Sequence, residues 1–372
     1  MKVGIVVPFS WSYIGGVSEH AEAQAEALEQ IGFETRLIMG DDPPGSVSRF
    51  FHPDAGRLDK RPSRVMSIGS TVTVPANNSR THIVLSHVAE QRLRRLLKRE
   101  QFDLLHIHEP MTPALCVATL AIAQSPIVAT WHAHGELGWL RAGVHIWGFL
   151  IDRIDVRIAV SPMAAESAAR WLPGDYRVIP NGVLTPPEAD PRHRDDHVVF
   201  IGRHDPRKGL ATLLKAWPEV HRATGARLRL IGTDPLQYRL LHTRLRVDDA
   251  GIDVLGIVTN EVRTKELLRA KVSVTPALGG ESFGLVLAEA FACATPAVAS
   301  DIPGYAAVAI PEAAALVPPS DPAALAAAIV DVLSNEERRV EMGRAARRHA
   351  LANYGWDDIA RRLEEVYEEA AA

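Results

Sequence analysis

Cysteine is scarce in this chain: Cys116 and Cys293 are the two among 372 residues. They lie far apart in apolar surroundings and form no C-x-x-C pair. That excludes a disulfide framework and fits two buried thiols in a reducing compartment. Long hydrophobic runs are missing too. None reaches the roughly 18 to 20 apolar residues of a membrane-spanning helix, and MKVGIVVPF is too short for a signal peptide. The net charge of −4 gives no bulk attraction to nucleic acid or lipid, so any such attraction has to be local. There is no short repeat, no low-complexity block and no G-x-G-x-x-G, so a nicotinamide-cofactor reading gains nothing. These absences describe a cytoplasmic protein, peripheral at most to the inner face of the plasma membrane, with no nucleic-acid partner.

What is there is ordinary globular composition, 47% apolar and 23% charged, on a chain long enough for two cores. Short β-branched runs alternate with helical stretches. KVGIVVPF, TRLIM, DLLHIH, PIVATWH and VRIAVS read as strands, with a helix over 17–31 after the Gly15-Gly16 turn. Such unbroken apolar strands between helices predict a parallel sheet covered on both faces. At YRVIPNGVLTPPEADPRHRDD the texture becomes proline-rich and irregular, which marks a domain joint. The alternation then restarts with VVFIG, RLRLIG, DVLG, KVSVTPA and PAVAS. The fold class expected is α/β: two Rossmann-like, doubly wound parallel-sheet domains facing a cleft. The first covers 1–178 and the second 179–355, with a last helix over 356–372 packing back on the first. Residues 41–78 carry little pattern and read as a long functional loop.

Ligands of open parallel sheets bind beyond the carboxyl ends of the strands, so the strand-to-helix loops are where chemistry is expected. Gly15-Gly16 follows the first strand and opens a helix; its amides suit an anion, and the plain alternative is a tight turn needing positive φ. IGRHDPRKGL follows the first strand of the second half. Arg203 and Lys208 there suit a diphosphate, by forked hydrogen bonds and as a point charge respectively. The alternative is a solvated basic loop, and Arg207 is expected to be the solvated member. GGESFGLVLAEA follows KVSVTPA. A helix starting near Phe283 leaves Glu281 in the loop and puts Glu289 about two turns into the helix. Both carboxylates can accept hydrogen bonds from vicinal hydroxyls, while the amides of Ser282, Phe283 and Gly284 remain for phosphate. The alternative gives Glu281 to the helix dipole and Glu289 to a nearby arginine.

Together the three loops describe a nucleotide sugar. In this ordered set the sequence resembles the retaining glycosyltransferases of family 4, with the two-domain GT-B fold. The E-x7-E motif is Glu281 to Glu289, the Arg/Lys pair is Arg203 and Lys208, the glycine loop is Gly15-Gly16, and IPNGV is the interdomain signature. The resemblance implies that Glu281 contacts the donor sugar and Glu289 the ribose. Arg203 and Lys208 would hold the diphosphate, Gly16 would lie against the phosphates, and His132 would reach the sugar near the reacting carbon. It implies no metal, and the chain has no D-x-D. The donor implied first is GDP-mannose, with UDP- or GDP-glucose open.

Within the family the chain is most similar to actinobacterial phosphatidylinositol mannosyltransferases, which implies a lipid or polyol acceptor. EQRLRRLLKRE places Leu93, Leu96 and Leu97 on one helical face, and Arg92, Arg94, Arg95, Lys98 and Arg99 could meet an anionic membrane surface. A solvated helix face over the core explains the same pattern. Ser18, Met111 and His82-Ile83-Val84 depart from the pattern at positions that serve the inositol-phosphate acceptor in those enzymes. Two rival readings come from other chemistries. The H-x-H pairs His106/His108 and His132/His134 suit a zinc-dependent hydrolase on a single barrel. A GT-B-fold sugar-nucleotide epimerase, or a binding protein retaining the nucleotide cleft, would share the fold without the transfer.

Overall fold

Strand β1 (Lys2–Ser10) is buried without a break from Val3 to Pro8. A strand covered on both faces needs apolar side chains at odd and even positions alike, which is why KVGIVVP does not alternate. The same holds for β6 (Leu104–His108) and β7 (Ile127–Trp131), every residue of which is buried. The structure is a computed structural model and describes residues 1–13, 15–43, 45–47, 61–76, 79–84, 87–132, 144–187 and 189–372. The chain divides into two units, Met1–Gly182 with Trp356–Ala372, and Val183–Gly355.

In the first unit the sheet order is β3-β2-β1-β6-β7-β8-β9, all pairs parallel. Here β2 is Glu34–Gly40, β3 is Val65–Ser67, β8 is Val156–Ala159 and β9 is Arg177–Val178. The covering helices are α1 (Gly16–Gln30), α2 (His87–Glu100), α3 (Leu115–Ile122), α4 (Val144–Ile151) and α5 (Pro162–Ala169). One feature departs from the all-parallel expectation. β4 (Val72–Ala76) and β5 (Ser79–Ile83) form an antiparallel hairpin joined to β1 at Phe9. β3 and β4 also fall inside the segment read as a loop. VMS is three residues long, and VTVPA pairs outside the main sheet, so neither leaves a periodic signal. Positions 44, 48–60, 77 and 78 of that segment lie outside the described residues.

The last helix, α12 (Trp356–Ala371), belongs to this unit. It buries Trp356, Ile359, Ala360, Leu363, Val366 and Tyr367, a stripe at helical spacing. The stripe packs into the cluster containing Val3, Ile5, Leu28 and Leu37. Fully burying side chains of this size stabilises by roughly 1.5–3 kcal/mol each. The glycine of IPNGV is explained here: a Cβ on Gly182 would lie 2.4 Å from the Trp356 ring. The second unit begins at Val183, a few residues beyond the expected joint.

The second unit has one parallel sheet, in the order β12-β11-β10-β13-β14-β15. These strands are β10 (Asp195–Ile201), β11 (Arg227–Ile231), β12 (Ile252–Gly256), β13 (Ala270–Thr275), β14 (Ala297–Ser300) and β15 (Ala314–Val317). Helices α6 (Leu210–Thr224), α7 (Pro235–Leu245), α8 (Asn260–Arg269), α9 (Leu285–Ala292), α10 (Pro322–Ser334) and α11 (Glu336–Asn353) alternate with or follow them. Its core holds Phe200, Leu213, Leu214, Trp217, Leu228 and Val272.

Both sheets have a topological switch point, where the chain leaves a strand in opposite directions. It lies between β1 and β6 in the first unit and between β10 and β13 in the second. No described helix is long and apolar enough to cross a membrane.

Candidate active site

The second-unit switch point brings together the two loops that the sequence kept 73 residues apart. After β10 the chain runs through Arg203 to a short 3-10 turn, Pro206–Lys208, and into α6. After β13 it runs through Gly279 and Gly280 to Glu281 and then α9. The Lys208 ammonium sits 2.7 Å from Glu281 Oε1. Both side chains are partly exposed, so the pair is reachable from solvent.

Asp205 sets the shape of the basic loop. Its carboxylate accepts the Arg207 amide at 2.9 Å and also the Arg207 guanidinium, with Nη2–Oδ2 at 2.6 Å. Burial pushes the Asp205 carboxyl up, and the Arg207 hydrogen bonds outweigh this and leave it below the usual range. Arg207 is therefore not the solvated cation expected from sequence. It is half-buried, its carbonyl accepts the Leu278 amide at 2.7 Å, and it stitches the two loops together. Arg203 is the exposed one, with no side-chain hydrogen bond or ion pair among the described residues. Fixing Arg207 on Asp205 leaves Arg203 and Lys208 as the cations available to a phosphate.

Gly209 is required by geometry. Its φ is +72°, and a Cβ would lie 1.8 Å from the Pro276 carbonyl oxygen. Any side chain there would push the two loops apart.

The second carboxylate, Glu289, accepts from Arg263 Nη2 of α8 at 2.9 Å. Helix α9 starts at Leu285, later than expected, with Gly284 as its N-cap at φ +85°. Glu289 is thus just over one turn in, rather than two. Phe283 points inward, buried, with its ring edge-on to Tyr354 at 5.4 Å. Only backbone at Phe283 and Gly284 is left to face a ligand, and Ser282 is partly exposed beside them.

Two groups escaped the sequence reading. Arg263 on α8 is the nearby arginine that the alternative reading of Glu289 calls for without identifying it. Gly304, in the turn Pro303–Tyr305 after β14, would clash with the Glu281 carbonyl oxygen at 1.9 Å if it carried a Cβ. A Pro-Gly pair directly after a buried strand was the available signal for it.

In the first unit, Gly15 caps α1 in an extended conformation, φ −163°, and among the described residues nothing lies within 4 Å of a Cβ built on Gly15 or Gly16. The tight-turn explanation for these glycines fails, since neither has positive φ. Among the described residues the space over them is open, and α1 presents its first amides there.

His132 follows β7 and is buried. Its amide donates to Glu109 Oε1 at 2.9 Å, and its Nε2 is 2.8 Å from His108 Nδ1. Burial lowers its pKa to about 4, and a hydrogen bond with Asn181 of IPNGV opposes part of the shift. A neutral imidazole at a strand end can donate or accept a hydrogen bond without adding charge.

His106 is spent elsewhere. Nδ1 meets the Tyr367 hydroxyl at 2.6 Å and Nε2 meets Thr130 Oγ1 at 2.7 Å. The His106/His108 pair therefore cannot act as a two-ligand clamp, and His134 lies outside the described residues. Two open parallel sheets also replace the single barrel that a hydrolase of that kind needs.

The positions expected to select an acceptor are largely core. Ser18, Ile83, Val84 and Met111 are buried, and Val84 and Met111 belong to the cluster under α2. His82 stacks on Tyr13, ring centroids 3.6 Å apart and nearly parallel. On α2, Leu93 and Leu96 are buried and Leu97 is packed against them, while Arg92, Arg94, Arg95, Lys98 and Arg99 are exposed.

Comparisons with known proteins agree with this arrangement. A family model described as Glycosyltransferase Family 4 matches residues 14–185, and one described as Glycosyl transferases group 1 matches 195–335. The phosphatidyl-myo-inositol mannosyltransferase of Mycobacterium leprae is 34% identical over 388 residues, covering 100% of this chain and 97% of that protein. The Mycolicibacterium smegmatis protein of the same name is 33% identical, covering 99% and 94%. Among solved structures, sucrose-phosphate synthase from Thermosynechococcus elongatus superposes with a TM-score of 0.74 at 21% identity, covering 99% of this chain and 98% of that one. Anabaena HepE in complex with UDP and glucose gives 0.72 at 16% identity, covering 99% of each chain. These matches lend no support to the hydrolase or epimerase readings. The chain is a GT-B-fold glycosyltransferase and belongs to family 4, alongside the phosphatidyl-myo-inositol mannosyltransferases.

Proposed function

We propose that this glycosyltransferase moves mannose from GDP-mannose, with retention and without a metal, to a lipid or inositol-type acceptor at an anionic membrane surface. The observation that carries the reading is the Lys208–Glu281 pair at the second-unit switch point, with exposed Arg203 beside it in sequence. A nucleoside diphosphate presents phosphate oxygens to Arg203 and Lys208, and sugar hydroxyls to Glu281. Glu289, anchored by Arg263, accepts from the ribose hydroxyls. As the glycosidic bond to phosphate breaks, negative charge grows on the leaving diphosphate. The two cations stabilise that charge more than they stabilise the bound donor, which lowers the barrier. They supply the charge a metal would supply in other sugar transferases. The family resemblance gives His132 a role at the donor sugar near the reacting carbon and Gly16 a role against the phosphates. In front-face attack the departing phosphate takes the acceptor proton, so no carboxylate nucleophile is assigned.

A lipid acceptor is supported by the mycobacterial relatives' names and by the surface around α2. Arg61, Arg92, Arg95 and Arg99 line a cavity of 510 Å³ together with Ser63 and Ser67. A phosphate-bearing headgroup suits that lining. Because Leu93 and Leu96 face the core, membrane contact here is electrostatic rather than insertion of an apolar face. This corresponds to peripheral attachment on the cytoplasmic leaflet.

The test is a thermal-shift series with GDP- and UDP-sugars, followed by transfer assays with phosphatidylinositol and with free inositol. GDP-mannose should raise the melting temperature most, since ligands of the native state stabilise by mass action. The product anomer should match the donor. Release of nucleoside diphosphate with neither acceptor, or an inverted product, would overturn the proposal.

A further inference from the structure

A second chemistry lies under the first-unit switch point. His20 is four residues after Gly16 on α1, His108 ends β6, and His132 follows β7. Each ring offers one nitrogen, and the three nitrogens lie within 4.8 Å of one another. Ring centroids are 5.0 Å apart for His20–His132, 5.0 Å for His108–His132 and 5.7 Å for His20–His108. All three side chains are more than nine-tenths buried.

Their hydrogen bonding is incomplete. Among the described residues, His20 Nδ1 and His108 Nε2 are buried without a hydrogen-bond partner. A buried polar nitrogen left unsatisfied costs about 1–3 kcal/mol, so packing alone would favour apolar residues at these places. Burial also keeps the rings neutral, which is the form that binds metal.

Three imidazole nitrogens are a ligand set for zinc-class dications, with water or a substrate oxygen in the fourth position. Tetrahedral bonds of about 2.0–2.1 Å place ligand nitrogens roughly 3.4 Å apart. Ring movements of about an ångström bring the three nitrogens to that spacing, at the expense of the His108–His132 hydrogen bond.

We propose that His20, His108 and His132 form a binding site for a transition-metal dication of the zinc class. Its occupation inhibits transfer by withdrawing His132 from the donor, a consequence that rests on the donor-site role given to His132 above. The site is regulatory, and the uninhibited enzyme is the metal-free one.

The experiment uses the full, untagged chain stripped with chelator and titrated with cobalt(II), then zinc(II). One equivalent of cobalt should give the visible d–d absorption of a four-coordinate ion, and zinc should displace it. His20→Leu and His108→Gln should each weaken cobalt binding by at least tenfold. The exposed His193→Ala should bind as the wild type does. Circular dichroism checks that each variant folds. As a readout independent of the variants, zinc should raise the melting temperature of the wild type and chelator should reverse it. Absence of cobalt uptake and of any zinc-dependent melting shift would overturn the site, as would undiminished binding in both folded variants. Zinc inhibition that is competitive with the nucleotide sugar, and relieved in His20→Leu, completes the proposal. Full turnover with the site loaded would retain the metal site and overturn the placement of His132 at the donor.

Discussion

Acid should unfold the first unit by charging histidines that the fold keeps neutral. His20, His106, His108 and His132 are all buried, and burial is the leading cause of the lowered pKa in each. His106 is lowered to about 3 and His132 to about 4, against 6.5 when unfolded. The unfolded chain therefore takes up protons that the folded chain refuses. The associated stability is fully present above about pH 6.5 and is lost as pH falls toward the folded values. At 1.36 kcal/mol per pKa unit, His132 contributes about 3 kcal/mol and His106 about 5. Either contribution is a large share of the 5–15 kcal/mol that typically separates folded from unfolded. Urea unfolding followed by circular dichroism between about pH 7.5 and pH 4.5 measures the loss, and hydrogen exchange of β1, β6 and β7 peptides assigns it to this unit. The control is His106→Gln, which retains an amide able to hydrogen-bond while removing one titration. Its stability should fall less steeply with acid, by about 1.4 kcal/mol per pH unit between roughly pH 4 and 6. Unfolding midpoints flat from about pH 7 to 5, or an unchanged slope in His106→Gln, would refute the reasoning.

At the donor site, Lys208→Ala and Glu281→Gln should each lower kcat/KM by about a hundredfold or more, as loss of one transition-state contact does. Melting should move by only a few degrees, since a partly exposed ion pair contributes about 1 kcal/mol; near wild-type turnover in either would disprove the assignment. Gly209→Ala combines a left-handed backbone with a Cβ on the Pro276 carbonyl. It should destabilise the second unit by about 3 kcal/mol or more, read from the urea midpoint. Replacing Arg94, Arg95 and Lys98 together by alanine should weaken sedimentation with phosphatidylinositol vesicles by roughly a hundredfold, at about 1 kcal/mol per charge. Unchanged sedimentation would remove the membrane role of α2. Met111→Asn introduces a polar amide into the cluster under α2. It should destabilise the first unit by about 2 kcal/mol or more, and an unchanged urea midpoint would show that this position is not core.

The parallel strands could be read from the sequence because burial on both faces leaves unbroken apolar runs such as VVFI and GIVV. β15 (AALV) and the β4–β5 hairpin left no such trace. They are short and lie at a sheet edge or off the main sheet, and the two hairpin strands mix polar with apolar residues. Helix α9 starts later than expected because Gly284 in left-handed conformation ends the loop, and sequence spacing does not reveal the sign of φ. Arg207 was misjudged for a related reason. Whether a loop cation is solvated depends on the neighbour two residues away, and Asp205 takes it by two separate hydrogen-bonding groups.

The donor and acceptor halves differed in legibility for a physical reason. A strand-end loop at a switch point has little freedom: the neighbouring strand fixes where it emerges, and Gly209 and Gly304 admit no side chain between the backbones. Arg203, Lys208 and Glu281 stand in such loops and Glu289 on the helix that follows, and the family resemblance gives them the donor roles proposed above. Of the positions proposed to face the acceptor, Ser18 lies on α1, Ile83 ends the hairpin and Met111 sits in the turn between β6 and α3, places where a polar contact can become a core contact by substitution. Ser18, Ile83, Val84 and Met111 have that buried status here. With the acceptor beside α2 as proposed, discrimination falls to groups still facing solvent, and Arg61, Arg92, Arg95 and Arg99 line the cavity there. An acceptor lacking a phosphate should therefore gain nothing from Arg92, Arg95 and Arg99, whereas a phosphate-bearing one should lose affinity when they are removed.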